Sequence, residues 1–265
     1  IGFTRKTVIK YIYNQIKFKP CIDYNICFAP ERTVEGKALE ELINNPQLIA
    51  GYSDKCLEVG VNFFNKFSKK IITLDNLESA EIAKLIDNSY RDNIFAFSNQ
   101  ISLICDEFKL DTIDIIKKCN SDYPRNNIPL PSPGVGGACL TKDPYILVSN
   151  LKKDKAKTNL IIQSRRTNEL TLKNFVKKIS SKLKLIKNPQ ILVCGIAFKG
   201  YPENSDMRFS TSLDIINQLK QNKKNKIFIY DPIISKRELT KLNYEIINIT
   251  KTKRKFHTII FANNH

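Results

Sequence analysis

A cysteine stands at the end of a glycine-rich run and directly ahead of a predicted helix. The run Gly134-Val-Gly-Gly-Ala-Cys139 is followed by Leu-Thr-Lys142-Asp143-Pro144. Glycines lack a Cβ and let the backbone approach a ligand closely, and Asp-Pro is typical of an N-cap followed by the first helical residue. The positive end of a helix, together with Lys142, favours the nucleophilic thiolate. The pattern therefore indicates a nucleophilic Cys139, while Asp143 can be a helix cap alone or take part in the chemistry as well.

Two further groups could supply acid–base and oxyanion chemistry. Glu31 and Glu35 follow a short apolar run, as in a strand that ends in a loop, and parallel sheets bind ligands beyond the carboxyl ends of their strands. A carboxylate there can act as a base or position a water, although on their own the two residues fit helix capping better. Lys84 and Asn88 are four residues apart and share one helix face. They could donate to one developing oxyanion, or form an ordinary solvated face.

A fourth group lies near the carboxyl end of the chain, in a strand–loop–helix context. Phe198 and Lys199 follow an apolar run, and Arg208 precedes a helix predicted to begin at Ser210. Cationic side chains near the start of a helix can bind phosphate groups. This cluster indicates a site for an anionic ligand.

The longest periodic segment must position several of these residues. Apolar residues recur at three- and four-residue intervals over 79–108, without Gly or Pro, which predicts a helix of about 45 Å. Such a helix is typical of a domain spine or a dimer seam. A Pro/Gly-rich loop follows at 123–139, and further helices are predicted over 110–120, 144–151 and 160–186.

The two ends of the chain show different periodicities. The last hundred residues alternate strands and a helix, which predicts a parallel sheet; the segments are 190–197, 210–221, 226–231 and 257–262. The first 70 residues are interpreted as the end of an α/β unit, with a strand over 24–28 and helices over 7–16, 37–44 and 59–67.

The charge distribution limits the possible partners. The formal charge of +17 resides wholly in residues 151–265, because residues 1–150 carry equal numbers of acids and bases. A basic half can bind nucleic acid, a membrane surface or an anionic ligand. No stacking aromatics alternate with the lysines and no nucleic-acid motif is found, so solvated helix faces are the favoured interpretation. Nucleic-acid binding, which would weaken steeply with salt, is the alternative.

Cysteine usage and hydropathy indicate the compartment. The seven cysteines form no C-x-x-C pair and only two histidines are present, which argues against a zinc site. Most cysteines lie in apolar runs, as expected of reduced thiols in a cytoplasmic protein. No apolar run approaches the roughly 20 residues of a membrane span, and no secretory signal is recognised.

Taken together, the four clusters resemble the UDP-glucose/GDP-mannose dehydrogenase family, in order and at matching spacing over nearly the whole chain. The segments PERTVEGKALEEL, NSYRDN and PGVGGAC are most similar to the branch that acts on UDP-N-acetylhexosamines. The resemblance implies an enzyme that uses NAD to oxidise a UDP-sugar to the uronic acid. Two successive hydride transfers at the sugar C6 carbon convert the alcohol to an aldehyde and then to the acid.

The resemblance also implies roles for individual residues. Cys139 matches the nucleophile that captures the aldehyde as a thiohemiacetal, from which the second hydride transfer leaves a thioester. Glu31 matches the acid/base residue that activates water for hydrolysis. Lys84 matches the residue that holds the C6 oxygen, with Asn88 assisting, and Asp143 matches the carboxylate beside the nucleophile.

The binding residues follow from the same resemblance. Contacts with the substrate are implied for seven residues, of which Arg125 would reach across a dimer: Glu35, Arg125, Gly134, Gly136, Gly137, Phe198 and Lys199. Lys142 and Arg208 are similar to residues on the cofactor side.

The implied fold is α/β, with two Rossmann-like domains joined by an α-helical dimerisation domain. Residues 1–70 would be the last part of the NAD-binding domain, 71–165 the central helical domain and 166–265 an incomplete UDP-binding domain. The glycine fingerprint and ribose-binding acid of the first domain are expected to be missing, as is the family's carboxyl end. A homodimer through the long helix is implied. The alternative is a non-catalytic UDP-sugar-binding or scaffold relative that lacks a complete NAD domain.

Overall fold

Apolar runs and amphipathic helices build two units, Ile1–Asn88 and Ser89–His265, in the computed structural model of this chain, which describes residues 1–151 and 155–263. Each unit is described by itself. The domain boundaries at 70 and 165 stay predictions.

The first unit combines a small sheet with short helices. A π-helical segment (Thr4–Ile9) runs into α1 (Lys10–Ile16), and the following elements are β1 (Cys27–Phe28), α2 (Ala38–Asn44), β2 (Gln47–Gly51), α3 (Asp54–Phe64), β3 (Ile71–Thr73) and the first part of α4 (Leu77–Glu107). The core of this unit includes Ile49 and Ala50 on β2, which are fully buried. α3 begins earlier than predicted because Ser53 caps it, accepting a hydrogen bond from the backbone N–H of Cys56.

The sheet of the first unit has the order β1-β2-β3, with β2 and β3 parallel. β1 ends before Glu31, as predicted, but it runs antiparallel to β2, with Phe28 opposite Ala50. The interpretation of Glu31 and Glu35 as residues beyond a parallel strand is therefore wrong. An apolar run indicates burial and carries no information on strand direction.

The second unit contains the parallel sheet predicted for the last hundred residues. Its further elements are α5 (Thr112–Asn120), α6 (Asp143–Val148), a 3₁₀ turn (Ser149–Leu151), α7 (Lys155–Leu183), β4 (Gln190–Cys194), α8 (Thr211–Lys220), β5 (Lys226–Tyr230), α9 (Lys236–Thr240), β6 (Glu245–Ile246) and β7 (Thr258–Phe261). The order is β6-β5-β4-β7, with every neighbouring pair parallel. Ile191, Val193 and Ile229 of the two central strands pack in a core that α7 and α8 cover.

The long helix predicted over 79–108 is confirmed as α4, Leu77–Glu107. Tyr90, Phe97 and Ile104 recur along it at seven-residue intervals and are exposed. Within the described parts of the chain, no helix is both long and apolar enough to cross a lipid bilayer.

Candidate active site

The thiol of Cys139 is exposed and lies in a tight turn that leads into α6. The backbone N–H of Asp143 donates to the carbonyl of Cys139 at 2.9 Å, and the hydroxyl of Thr141 donates to the carbonyl of Gly137 at 2.9 Å. These bonds close the turn. The structure thus brings Cys139 and Asp143 together, as the resemblance implies.

Asp143 is not the N-cap that its Asp-Pro sequence predicts. Lys142 holds the cap position without a capping side-chain bond, and Asp143 is the first helical residue. Its carboxylate is 2% exposed and lies 2.5 Å from the exposed ammonium of Lys142. Proline is tolerated throughout the first turn of a helix because those N–H groups have no helical acceptor, so Asp-Pro did not fix where the helix begins.

Two glycines of the loop are required by close contacts with the protein itself. A Cβ on Gly136 would lie 2.4 Å from the carbonyl oxygen of Phe209. Gly137 has φ +88°, and its Cβ would lie 2.8 Å from the ring of Phe198. Any larger residue would push the loop away from these neighbours.

The glycine loop forms one wall of an open cavity of about 580 Å³ within the second unit. Four predicted substrate-binding residues line it: Gly134, Gly136, Phe198 and Lys199. Leu140, next to Cys139, and Arg91 line it as well. The ammonium of Lys199 lies 5.4 Å from the centre of the Phe198 ring. Volume, apolar walls and cations are typical of a site for a small anionic ligand.

Glu31 and Lys84 meet in the first unit. The Nζ atom of Lys84 lies 3.2 Å from Oε2 of Glu31, and the two side chains are 29% and 62% exposed. Thr33 donates to the same carboxylate from its backbone N–H and, at 2.6 Å, from its hydroxyl. Arg32 forms a second ion pair with α4, at 2.8 Å from Asp87. The loop that carries Glu31 is therefore fastened to α4 at two consecutive residues.

The pKa of Glu31 lies below its ordinary value. Partial burial acts to raise this pKa, but hydrogen bonds from Thr33 and Lys84 outweigh it. Glu31 is consequently a carboxylate at neutral pH. Asn88 follows Lys84 by four residues in α4, which confirms that the two share a helix face.

The remaining predicted residues are at exposed positions. Glu35 is exposed on the loop before α2. Arg125 lies over the ring of Tyr123, at 4.9 Å from its centre. Arg208 is 71% exposed and forms an ion pair with Asp206 at 2.7 Å. Neither Arg125 nor Arg208 is among the described residues that line the cavity.

A buried polar network that the sequence analysis missed holds the glycine loop. The guanidinium of Arg165 on α7 donates to Asp92 on α4 at 2.7 Å, and to the carbonyls of Leu140 and Val135 at 2.9 Å each. Arg165 and Asp92 are 2% and 1% exposed. One arginine thus joins α4 and α7 to two points of the glycine loop.

Two asparagines extend this network. Asn168 donates to the Asp92 carboxylate at 2.8 Å and accepts from Asn99 at 2.9 Å, and Asn99 accepts from the backbone N–H of Ser132 at 2.8 Å. We call these four side chains, Asp92, Asn99, Arg165 and Asn168, the clamp. The signal that could have found it is spacing, since Asp92 follows Lys84 and Asn88 at the next four-residue step of α4.

Burial raises the pKa of Asp92 to about 6, although Arg165 and Asn168 oppose the effect. Its second carboxylate oxygen, Oδ2, has no hydrogen-bond partner among the described residues. Desolvation therefore dominates over the ion pair at this position. In the described ranges, no three His, Cys, Asp or Glu side chains cluster in a way that could hold a metal ion.

Two family models match the chain in succession. The central domain of the UDP-glucose/GDP-mannose dehydrogenase family matches residues 78–170, and the UDP-binding domain of the same family matches residues 192–265. The first covers α4, the clamp and the cysteine loop, and the second covers the sheet of the second unit.

Individual relatives agree with the family models. The UDP-N-acetyl-D-mannosamine dehydrogenase of Campylobacter jejuni is 33% identical over 227 residues, which cover 86% of this chain and 54% of that protein. The solved UDP-N-acetyl-mannosamine dehydrogenases of Pyrococcus horikoshii and S. aureus each have a TM-score of 0.82 at 28% identity, over 97% and 99% of this chain and 59% and 60% of theirs. The chain spans about half the length of the curated relatives it matches. It belongs to the UDP-glucose/GDP-mannose dehydrogenase family.

Proposed function

We propose that this chain is part of an NAD-dependent dehydrogenase that oxidises a UDP-N-acetylhexosamine, such as UDP-N-acetyl-D-mannosamine, to its uronic acid. The observation that carries the proposal is the exposed Cys139 on a glycine loop that contributes Gly134 and Gly136 to the lining of a 580 Å³ cavity. The substrate class comes from the names of the relatives.

Cys139 acts as the nucleophile in this proposal. Its thiolate adds to the carbonyl carbon of the sugar aldehyde and forms a thiohemiacetal, which a second oxidation converts to a thioester. Water then adds to the thioester carbon, and the C–S bond breaks to release the acid and the thiol. Gly136 and Gly137 pack closely against Phe209 and Phe198. This packing keeps the turn that carries Cys139 in one conformation.

Glu31 and Lys84 supply the proton chemistry. The lowered pKa of Glu31 keeps it ionised, so it can accept a proton from the attacking water. The ammonium of Lys84, with the amide of Asn88 on the same face, donates hydrogen bonds to the sugar C6 oxygen as negative charge develops there. Asp143, buried beside the turn, holds Lys142 through its ion pair.

NAD supplies the hydride acceptor when it is bound. Lys142 and Arg208 are exposed cations, and they fit the anionic pyrophosphate of such a cofactor. The G-x-G-x-x-G fingerprint of dinucleotide binding does not occur in the 265 residues. Lys142 and Arg208 therefore fit the pyrophosphate of the cofactor, and no dinucleotide fingerprint is present in these residues to hold the rest of it.

The test uses the longest form of the protein that its gene encodes. With UDP-N-acetyl-D-mannosamine and NAD, we expect two NADH per sugar by absorbance, and no steady-state turnover in Cys139→Ala. Cys119→Ala removes the other exposed thiol and should retain turnover. Full activity of Cys139→Ala would refute the mechanism. Calorimetry that shows UDP-sugar binding without turnover would favour the non-catalytic alternative.

We also propose a homodimer formed through α4. Tyr90, Phe97 and Ile104 are exposed at seven-residue intervals, the spacing of a helix–helix seam. Light scattering should give the mass of a dimer for the unchanged protein and that of a monomer for Phe97→Glu. A monomeric unchanged protein would contradict this part of the proposal.

A further inference from the structure

We propose that the clamp residues are positioning residues for Cys139, and that they act by fixing the backbone of the glycine loop. The inference rests on the proposed function only in giving Cys139 its catalytic role. The clamp holds the loop at three points: the N–H of Ser132 and the carbonyls of Val135 and Leu140. The last of these belongs to the residue next to Cys139.

The loop needs such anchors because of its composition. Between Val135 and Leu140 stand two glycines, an alanine and the cysteine, which offer little side-chain surface for packing. Glycine also loses more conformational freedom on ordering than any other residue. Hydrogen bonds from buried side chains therefore hold the part of the segment that side-chain packing cannot hold.

An arginine suits this position for a geometric reason. The guanidinium of Arg165 reaches one carboxylate and two carbonyls at the same time, and its planar fork of five N–H donors makes this possible. A lysine has the same charge but a single nitrogen on a flexible stem. Arg165→Lys therefore keeps the charge opposite Asp92 and removes at least one anchor of the loop.

The opposite side of the loop is held by other contacts in the second unit. The N–H of Gly137 donates to the carbonyl of Phe209 at 2.9 Å, and a Cβ on Gly137 would meet the ring of Phe198. If the clamp bonds are lost, the glycine loop is still held at Phe198 and Phe209 but is free on the side that faced Arg165. We expect the thiol of Cys139 and the loop residues that line the cavity to become mobile together.

The experiment compares Arg165→Lys with Arg166→Lys, because Arg166 is the neighbouring but exposed arginine of α7. Iodoacetamide labelling of Cys139 is measured by peptide mass spectrometry relative to Cys119, the internal reference. We expect the Cys139-to-Cys119 ratio to rise about threefold or more in Arg165→Lys, since a released loop presents its thiol more freely. It should stay at the unchanged value in Arg166→Lys.

A second readout separates positioning from binding. The value of kcat in Arg165→Lys should fall by about tenfold or more while KM changes less. A folded Arg165→Lys with an unchanged labelling ratio would overturn the inference. If circular dichroism shows that this variant does not fold, Asn99→Ala decides by the same ratio, because it removes the Ser132 anchor and the bond to Asn168 but leaves Arg165 in place. Labelling requires no turnover, so failure of the proposed function would leave this test intact.

A separate observation in the first unit carries a second inference. The sulfur atoms of Cys21 and Cys56 lie 3.1 Å apart, and Cys21 also contacts the hydroxyl of Ser53 at 3.0 Å. Cys21 is half-buried in the turn after α1, and Cys56 is buried in the first turn of α3. We infer that this pair is a modification site that peroxide oxidises to a disulfide.

The oxidation requires only hydrogen peroxide and the two thiols. Hydrogen peroxide oxidises one thiol to a sulfenic acid and releases water, and the second thiol then displaces a second water to form the S–S bond. The pKa of Cys56 supports its role as the thiolate. Burial acts to raise this pKa, but hydrogen bonds to Ser53, Ile26 and Cys21 lower it below the ordinary value.

The test treats the unchanged protein with hydrogen peroxide and analyses its peptides without reduction. We expect a cross-linked pair of peptides that contain Cys21 and Cys56, which dithiothreitol reverses. Cys27, half-buried in the same unit, should remain free, and the oxidised protein should melt about 5 °C or more higher. A linkage of either cysteine to Cys27, or dimedone trapping of a lasting sulfenic acid without cross-linking, would overturn the inference.

Discussion

Each unit of this protein contains a carboxylate paired with a cation, and the two pairs differ in distance, in exposure and in the pKa of the carboxylate. Glu31 and Lys84 lie 3.2 Å apart with 62% and 29% of their side chains exposed. Asp92 and Arg165 lie 2.7 Å apart with 1% and 2% exposed. Exposed pairs contribute little to stability, whereas loss of one partner from a buried pair is costly. The first pair is therefore suited to meet a ligand and the second to hold a framework.

The pKa values of the two carboxylates shift in opposite directions because burial and hydrogen bonding balance differently at each. Hydrogen bonds outweigh partial burial at Glu31 and lower its pKa, whereas burial prevails at Asp92 and raises its pKa to about 6. Water still reaches Glu31 and lessens the desolvation penalty. Ionisation of the carboxylate is thus favoured at Glu31 and disfavoured at Asp92, although each has a cation and hydrogen-bond donors beside it.

The largest effect is expected from breaking the buried pair. Arg165→Met should lower the free energy of unfolding by about 3–5 kcal/mol, because it leaves Asp92 buried without its cation and removes the guanidinium donor from the carbonyls of Val135 and Leu140. Urea unfolding followed by circular dichroism measures the change. Arg166→Met, the exposed neighbour, should stay within about 0.5 kcal/mol of the unchanged protein. Equal losses in both variants would contradict the distinction between the pairs.

The pH dependence of stability should reveal the same buried pair. Because the pKa of Asp92 is raised from 3.8 to about 6, the folded protein binds this proton more readily than the unfolded chain. Its contribution to the free energy of unfolding is greatest below pH 4 and is lost as the pH rises through 6, by about 3 kcal/mol in all.

This pH effect is isolated by comparison with Asp92→Asn. The difference between the unchanged protein and Asp92→Asn, measured by urea unfolding at pH 4.5 and 7.5, should be pH-dependent with the sign just given. A difference that is constant over this range would show that Asp92 titrates at its ordinary pKa.

The exposed pair should separate activity from stability. Lys84→Met should change the free energy of unfolding by about 1 kcal/mol or less, yet reduce turnover by about a hundredfold or more, because an oxyanion partner is lost. Arg32→Met, which removes the neighbouring pair with Asp87, should have the same small effect on stability and retain more turnover. A loss of stability like that of Arg165→Met would show that Lys84 is a framework residue.

The smallest effect concerns salt. The coupling energy between Glu31 and Lys84, from a double-mutant cycle with Glu31→Gln and Lys84→Met, should be a few tenths of a kcal/mol and should decrease in about 1 M NaCl. The coupling between Asp92 and Arg165, from Asp92→Asn and Arg165→Met, should be larger and nearly independent of salt, because solvent does not reach the pair. If the coupling energy between Asp92 and Arg165 decreased in salt, the pair would be accessible to solvent and not buried.

Local sequence pattern was enough to predict the longest helix and the larger sheet of this chain. A repeat of three and four residues without Gly or Pro was enough to predict α4 within a few residues of its ends. Alternation of apolar runs with a helix was enough to predict the parallel sheet built around β4 and β5. Residue type and spacing likewise singled out Cys139, Lys84 and Asn88, whose catalytic roles stay predictions. Side chains on one helix face or in one turn have positions that neighbours in sequence decide.

Contacts distant in sequence were left to the tertiary structure. β2 and β3 were not predicted, because runs of five and three residues are too short to show a periodicity. The direction of β1 and the position of Asp143 in its helix depend on which partners lie nearby. Arg165 finds Asp92 across 73 residues of chain, and only the packing of two helices decides that both charges are buried. Burial decides whether a charged pair is a framework or a reactive group, and it is a property of the folded neighbourhood.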